Sequence, residues 1–368
     1  MDIRPPSQQK GITLVELLIA MMIALFMTTG LIQIFLSNRQ TYQIQKAIAT
    51  IQDNARFLNA YLARELRMSG YLGCNAGVAV TNLLNSTTNS WDFSAFGAGL
   101  SAHRHVAGGS PDWQPALAGS LGFTPATHSD VIFIRRMGDT PLTLDNGDIT
   151  LSGNPSAADT GLDLADVDLF DFFSEGGIYF VSNCHDSAVV LQFCKDQVTG
   201  SAGSESYAFK LKDCASDYQP GNGSDVQHLV DKEMFRQGAQ ISSLKSTAFY
   251  VRDTNGVGEL TVVHYTLGGA SNPSGETIEA EDPVLRGISN LRYEFAVQTN
   301  YDSNFPTRTP VYRFSSPENI GSAEWRHVRS VRISYTLSAG SGDSLVERNF
   351  TTLVNLRNLQ PNTIYHST

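Results

Sequence analysis

Residues 11–16 read Gly-Ile-Thr-Leu-Val-Glu, and they open an apolar run that continues to Leu36. Between Lys10 and Arg39 the only formally charged side chain is Glu16. Roughly 25 residues rising about 1.5 Å each form a helix of about 37 Å, enough to cross a hydrocarbon core about 30 Å thick. Ahead of the run lies a short polar leader with Arg4 and Lys10, then a single glycine. A carboxylate on the second turn of such a helix costs about 3 kcal/mol to insert, so Glu16 calls for a partner. A secretory signal has a shorter apolar region and an Ala-x-Ala ending, and this run has neither. A plain membrane anchor leaves the Gly-to-Glu spacing unexplained.

Taken together, Lys10-Gly11-Ile12-Thr13-Leu14-Val15-Glu16-Leu17 resembles the class III signal of type IV prepilins and type II secretion pseudopilins. The resemblance implies that a membrane-embedded prepilin peptidase cuts between Gly11 and Ile12 and methylates the new amine of Ile12. It also implies that Glu16, fifth in the mature chain, is an assembly residue neutralised by the N-terminal ammonium of a neighbouring subunit. A buried carboxylate paired in that way sets axial register between packed helices. On this reading residues 1–11 are the leader, 12–36 the transmembrane and assembly helix, 37–69 an amphipathic periplasmic continuation, and 70–368 a β-rich globular head. Arg4 and Lys10 before the run against Arg39 and Lys46 after it give a cytoplasmic leader only slight support, so the motif does most of the orienting.

Composition bounds the rest. The 368 residues carry a net charge of −10, which disfavours nucleic acid as a partner because phosphate binding needs a basic surface. The 31 glycines, with abundant Ser, Thr and Asn, suit a loop-rich exported β-domain. Four cysteines, all beyond the apolar run, fit two disulfides in an oxidising compartment.

Beyond the apolar run the helix pattern persists. Ile44, Ile48, Ile51, Ala55, Leu58, Leu62 and Leu66 recur at three- and four-residue steps, which predicts one apolar stripe. Arg64 and Arg67 complement the dipole of the last turn, and Gly70-Tyr71 reads as a left-handed C-cap. Residues 12–69 therefore form one helix of about 87 Å. Thr28-Thr29-Gly30 weakens it locally. The 74–128 stretch, rich in Gly, Ser, Asn and Pro, reads as irregular cover, and 195–240 as a long polar excursion. Strands are expected at 130–135, at 177–183 and 188–193 around the turn Cys184-His185-Asp186-Ser187, and at 247–252 and 259–267 around Asp253-Thr254-Asn255-Gly256-Val257-Gly258. Further strands follow from Leu291, Tyr293, Phe295 and Val297 alternating with polar or small neighbours, from Val331, Ile333, Tyr335 and Leu337, and from 350–358. The fold class is α+β, a long N-terminal helix packed on an antiparallel sheet with irregular insertions.

Leu66-Arg67-Met68-Ser69-Gly70-Tyr71-Leu72-Gly73-Cys74, then Ser182-Asn183-Cys184, then the final segment from Phe350 resemble, in that order, the PilW family of minor pilins. The resemblance implies an inner-membrane protein with a periplasmic head that joins the pilus, near its tip, and helps prime assembly. Its partners would be other minor pilins, the major pilin, the prepilin peptidase and, before assembly, the inner membrane. The alternatives are a type II secretion minor pseudopilin, which shares the signal, and a membrane-anchored periplasmic enzyme or adhesin, which would keep its leader.

If 178–193 is a hairpin, Cys184 sits at its turn and Cys194 about 20 Å away at strand rise. A Cys184–Cys194 bridge then fails the distance requirement, and the preferred pairing is Cys74–Cys184 with Cys194–Cys214. No esterase elbow, phosphate loop or His-Glu-x-x-His helix occurs, so the chain is not expected to be an enzyme. His103 and His105 lack a third ligand and are expected to lie in a solvent-exposed loop. Asp253, Asn255 and Glu259 carry oxygen ligands at calcium-loop spacing, but they read equally as a turn, and no cofactor is expected. Asp159, Asp163, Asp166, Asp168 and Asp171 read as a solvated acidic face.

Overall fold

The computed structural model describes residues 13–74, 79–84, 99–117, 123–138, 140–146, 148–152, 161–164, 172–174, 176–195, 207–210, 222, 229, 232–267, 276–300 and 309–357. One helix, α1 (Leu14–Met68), is followed by β1 (Ala79–Asn82), β2 (Leu100–His105), β3 (Trp113–Gln114), β4 (Val131–Met137), β5 (Leu142–Thr143) and β6 (Ile149–Ser152). Next come β7 (Gly161–Leu164), β8 (Ile178–Ser182), β9 (Ser187–Gln192), β10 (Cys194–Lys195), β11 (Tyr207–Lys210) and β12 (Gln240–Thr254). After these come β13 (Val257–Leu267), β14 (Glu276–Arg286), β15 (Ile288–Gln298), β16 (Tyr312–Ser315), β17 (Val328–Ala339) and β18 (Val346–Asn355). This is an α+β protein with its helix at the N-terminus.

Two compact units divide the chain. One comprises Met1–Asp53 and Ser338–Arg348, the other Asn54–Leu337 and Asn349–Thr368. In the first, the apolar side chains of α1 from Leu14 to Leu36 are exposed, while Ala47 and Ile51 are buried. The tip between β17 and β18 turns through a short 3-10 segment, Gly342–Ser344.

In the second unit the helix stripe continues as Ala55, Leu58, Leu62 and Leu66, all buried as the three- and four-residue spacing predicts. Ile44 and Ile48, expected on that stripe, are only half-buried. Tyr61 meets the Phe249 ring of β12 edge-on, and the Tyr335 hydroxyl of β17 donates to Asn59 Oδ1 at 2.9 Å. Burial pushes that hydroxyl's pKa up to about 12. Gly70 stops the helix in the left-handed region at φ 67°, as a C-cap should. Its N–H, however, goes to the Arg135 carbonyl of β4 at 2.9 Å, while the Tyr71 carbonyl accepts the Met137 N–H at 2.8 Å. The chain leaving the helix thus runs onto β4. Gly99 approaches the same place: a Cβ there would overlap the Gly70 backbone, so two glycines allow the two segments to meet.

The largest sheet runs β1-β9-β8-β12-β4-β2-β3, with β13 on β12, β14 on β13 and β5 also on β12. β8 and β9 are buried along their whole length, and between polar ends at Ser182, Ser187 and Gln192 they run apolar rather than alternating. Tyr179, Val181, Val189 and Leu191 face one core with Phe173, Phe193 and Met234. Ile178, Phe180, Ala188 and Val190 face a second with Phe133, Tyr250 and Tyr265. A small sheet, β10-β11-β7-β6, contributes Ile149 and Leu164 to the first of these cores. The remaining sheet, β16-β15-β17-β18, buries Leu291, Tyr293, Phe295, Val331, Ile333, Tyr335 and Leu337.

Two expectations are refined by the structure. The 74–128 stretch, expected as mostly irregular cover, also supplies the short strands β1, β2 and β3, and β1 pairs with β9 in parallel. The 195–240 stretch is not simply a surface excursion, since it holds β11 and buries Leu229 and Met234 in a core. Single apolar anchors among polar residues create no periodicity, so neither was visible in the pattern.

Candidate assembly segment and its supporting head

The first described residue sets the start of the segment. Thr13 accepts the Glu16 N–H on its hydroxyl at 3.3 Å and the Leu17 N–H on its carbonyl at 3.2 Å, an N-cap that places Glu16 in the first turn. The carboxylate there favours the positive end of the helix dipole. Glu16 is exposed in the single chain and makes no ion pair among the described residues, amid Leu14, Val15, Leu17, Leu18 and Ile19, each at least half exposed. Gly11 and Ile12, the cleavage and methylation positions, lie outside the described residues.

Further along, Thr28 and Thr29 donate their hydroxyls to the Ala24 and Leu25 carbonyls at 2.8 and 2.9 Å. The threonines thereby satisfy their polar atoms inside the helix, as an apolar setting requires. Gly30 follows with open space where a side chain would stand. α1 is a helix long and apolar enough to cross a membrane, with its apolar window wholly unburied.

The head is held by residues of two kinds. Cys74 and Cys184 are disulfide-bonded with Cα atoms 5.4 Å apart. Cys184 sits at φ 56° in the β8–β9 turn, which Asn183 organises by accepting the N–H groups of His185, Asp186 and Ser187 on Oδ1. Cys194 is also disulfide-bonded, and Cys214 lies outside the described residues.

The second kind was not singled out from the sequence. Asp130, immediately before β4, has a fully buried side chain. Its Oδ1 accepts Arg104 Nε at 2.9 Å and Arg292 Nη1 at 2.8 Å. Oδ2 accepts Arg104 Nη2 at 2.8 Å and the Tyr293 N–H at 2.9 Å. Arg104 also reaches the Tyr293 carbonyl at 3.1 Å and Glu318 at 3.5 Å. One carboxylate therefore joins β2 and the start of β4 to β15 across two sheets. Burial raises the pKa of the Tyr293 hydroxyl, and the Asp130 charge adds to the rise. Arg104 and Arg292 are 26 and 162 residues from Asp130, beyond any local pattern.

His103 and His105 lie on β2 rather than in an exposed loop, which corrects that expectation. His103 bonds the Pro115 carbonyl through Nδ1 at 2.9 Å and stands edge-on to Phe133, while His105 meets the Trp113 ring. Among the described residues no three His, Cys, Asp or Glu groups gather as metal ligands. Burial, together with nearby Arg135, lowers the His103 pKa to about 4. The native imidazole thus stays neutral while the unfolded one protonates below about pH 6.5. Its contribution is complete above that pH and is lost as pH falls toward 4. His103→Gln should shrink the difference between melting temperatures at pH 7 and pH 4.5, and an unchanged difference would contradict this account.

Asp253, Asn255 and Glu259 do not form a calcium cage. Asn255 and Gly256, at φ 56° and 76°, make the two-residue turn of the β12–β13 hairpin. Asp253 accepts the Gly256 N–H at 2.7 Å, and Glu259 is paired with Arg252 at 2.8 Å and Arg286 at 3.7 Å. Arginines hold the carboxylate a cation would need. Of the acidic run, Asp163 lies on β7, and Asp159, Asp166, Asp168 and Asp171 lie outside the described residues.

Residues 6–32 match the family model described as the prokaryotic N-terminal methylation motif. Neither a curated protein nor a solved structure matches the chain. The motif covers the second half of the leader, the Gly11-Ile12 junction, Glu16 and most of the apolar run, and it supports a type IV pilin-like or pseudopilin-like protein anchored by its N-terminal helix.

Proposed function

We propose that this chain is a minor pilin of a type IV pilus, resembling the PilW family, that helps prime pilus assembly and stays near the tip. It is made as an inner-membrane prepilin with its head in the periplasm. Its role is non-enzymatic: apolar helices pack side by side and the β-rich head supplies lateral recognition. The observation that carries this reading is Glu16. It is an acid without an ion-pair partner among the described residues, on an exposed apolar helix, placed at the processing site of a matching methylation motif. A carboxylate leaving lipid for a protein interior needs an opposite charge, and the freshly cut amine of a neighbour supplies one.

Glu16→Ala should leave the membrane-inserted pool unchanged and lower the fraction found in sheared filaments about tenfold, equivalent to about 1.4 kcal/mol of lost pairing. Wild-type incorporation would contradict the register role. The same motif serves type II secretion pseudopilins, and pull-down with pilus components as against secretion components separates the two assignments.

A further inference from the structure

We infer that Arg39, Tyr42 and Lys46 form a contact for anionic phospholipid headgroups at the far end of the membrane span. This rests on the membrane-anchored reading above and names the surface that fixes the depth of the helix in the bilayer.

The three residues follow one another on α1 at steps of three and four, just beyond the apolar run that ends at Leu36. At about 100° per residue they share a face about 60° wide, turned away from the side that Ala47 and Ile51 bury. All three are exposed, Tyr42 at 67 %. Neither Arg39 nor Lys46 makes an ion pair among the described residues, and the helix carries no acid between Glu16 and Asp53. Asp53 lies about 10 Å along the axis from Lys46. Asp343 and Glu347, in the β17–β18 tip of the same compact unit, pair with neither cation. Two positive charges and an amphipathic ring thus stand together on an open face.

Their height along the helix identifies what meets them. From Glu16 to Leu36 the helix is about 30 Å long, the thickness of the hydrocarbon core. With Glu16 at one boundary, Arg39 lies about 4.5 Å beyond the other, Tyr42 about 9 Å and Lys46 about 15 Å. The headgroup layer there is about 5–7 Å deep. Every Cα–Cβ bond of a helix leans toward its N-terminus, here toward the bilayer, so the long side chains of Arg39 and Lys46 reach back to the phosphates. Tyr42 between them brings the kind of ring enriched at that level. Phe35 and Ile32, four and seven residues before Arg39 on the same face, are 66 % and 52 % exposed, so the surface is continuous with the lipid-facing side of the span. Anionic headgroups suit the two cations best, because a zwitterionic headgroup sets an ammonium beside the same phosphate. Positive charge beyond the span works against the topological signal of Arg4 and Lys10, and a lipid contact on the far side gives it a use.

The test uses the full chain reconstituted in vesicles in which phosphatidylglycerol is the minority lipid beside phosphatidylcholine. Photo-reactive p-benzoylphenylalanine is introduced at Tyr42 or, as a reference within the span, at Phe26, and mass spectrometry of the adducts gives the share of each lipid. Position 42 should capture phosphatidylglycerol about threefold above its share of the bilayer. Arg39→Gln combined with Lys46→Gln should return that figure to the bulk share, while position 26 still captures lipid. The inference is overturned if position 42 captures the two lipids at their bulk shares, keeps its preference in the double variant, or captures only a second copy of the chain. Absence of lipid at position 42 alone overturns it as well. Absence at position 26 alone counts against the membrane-anchored reading instead, and absence at both positions overturns both.

Discussion

Replacing Asp130 by alanine should lower the stability of the protein by about 3–5 kcal/mol, the range seen when one partner of a buried ion pair is removed. The side chain is fully buried between Arg104 and Arg292, whose own side chains are 18 % and 36 % exposed. Without the carboxylate, two guanidinium groups face each other across a partly dry junction, and the buried Tyr293 N–H loses its acceptor. Each of those losses alone amounts to about 1–3 kcal/mol. Because the carboxylate bridges β2 and β15, the damage spreads to two sheets rather than one. Thermal unfolding of the full chain in detergent, followed by near-ultraviolet circular dichroism, should show a melting temperature lower by about 10 °C. Asp130→Asn keeps an acceptor for the Tyr293 N–H and should lose less. Equal losses for the two variants would mean that the neutral acceptor contributes nothing and charge pairing alone holds the junction, and near-wild-type stability of both would contradict this account.

The second large effect concerns the Cys74–Cys184 bridge, which spans a sequence separation of 110 residues. In the chain-entropy account, closing a loop of that size stabilises the native state by about 4–5 kcal/mol through its effect on the unfolded ensemble. The bridge fastens the chain just after the helix to the β8–β9 turn, a region also tied by the Gly70 and Tyr71 backbone bonds to β4 and by Tyr71 and Leu72 packing on a core. Cys74→Ser combined with Cys184→Ser should shift the denaturant midpoint markedly downward, with little change in slope. Removing both partners together leaves no unpaired thiol to confuse the result. A midpoint within error of wild type would show that the helix end is secured without the bridge.

Both effects bear on what was legible in the sequence. The helix was legible because its signals are local: the N-terminal motif, the apolar run, the three- and four-residue stripe and Gly70. The β8–β9 and β12–β13 hairpins were legible for the same reason, since each has a short turn between apolar strands, and β12–β13 turns on Asn255-Gly256. β14 was not, because its sequence, Glu-Thr-Ile-Glu-Ala-Glu-Asp-Pro-Val-Leu-Arg, argues against a strand by both charge and proline. It is a strand only because β13 offers it an edge, and it accommodates the misfit with two register shifts. β2 likewise reads Leu-Ser-Ala-His-Arg-His, and only its pairing with β4 and the Arg104–Asp130 bond reveals its place. Long-range pairing decided these elements, and a single chain's pattern carries no trace of it.

Within the candidate site the division is similar. Glu16 stands out from the sequence because one charge in a long apolar run is conspicuous without any knowledge of folding. Asp130 does not, since an aspartate before Val-Ile-Phe-Ile looks like an ordinary strand start until both arginines are brought to it. The calcium-like spacing at Asp253, Asn255 and Glu259, which read equally as a turn, is the opposite case. Local spacing suggested ligands, while Arg252 and Arg286, which arrive across the β-ladders, claim Glu259.

Processing at the N-terminus decides whether this is an assembling chain, and the most direct measurement is the intact and N-terminal mass of the protein recovered from cells. If the apolar helix is an assembly segment, the mature chain begins at Ile12, lacks the first eleven residues and carries one extra methyl group on its amine. A chain that still begins at Met1, or at the same residue in Gly11→Ala as in wild type, would contradict it.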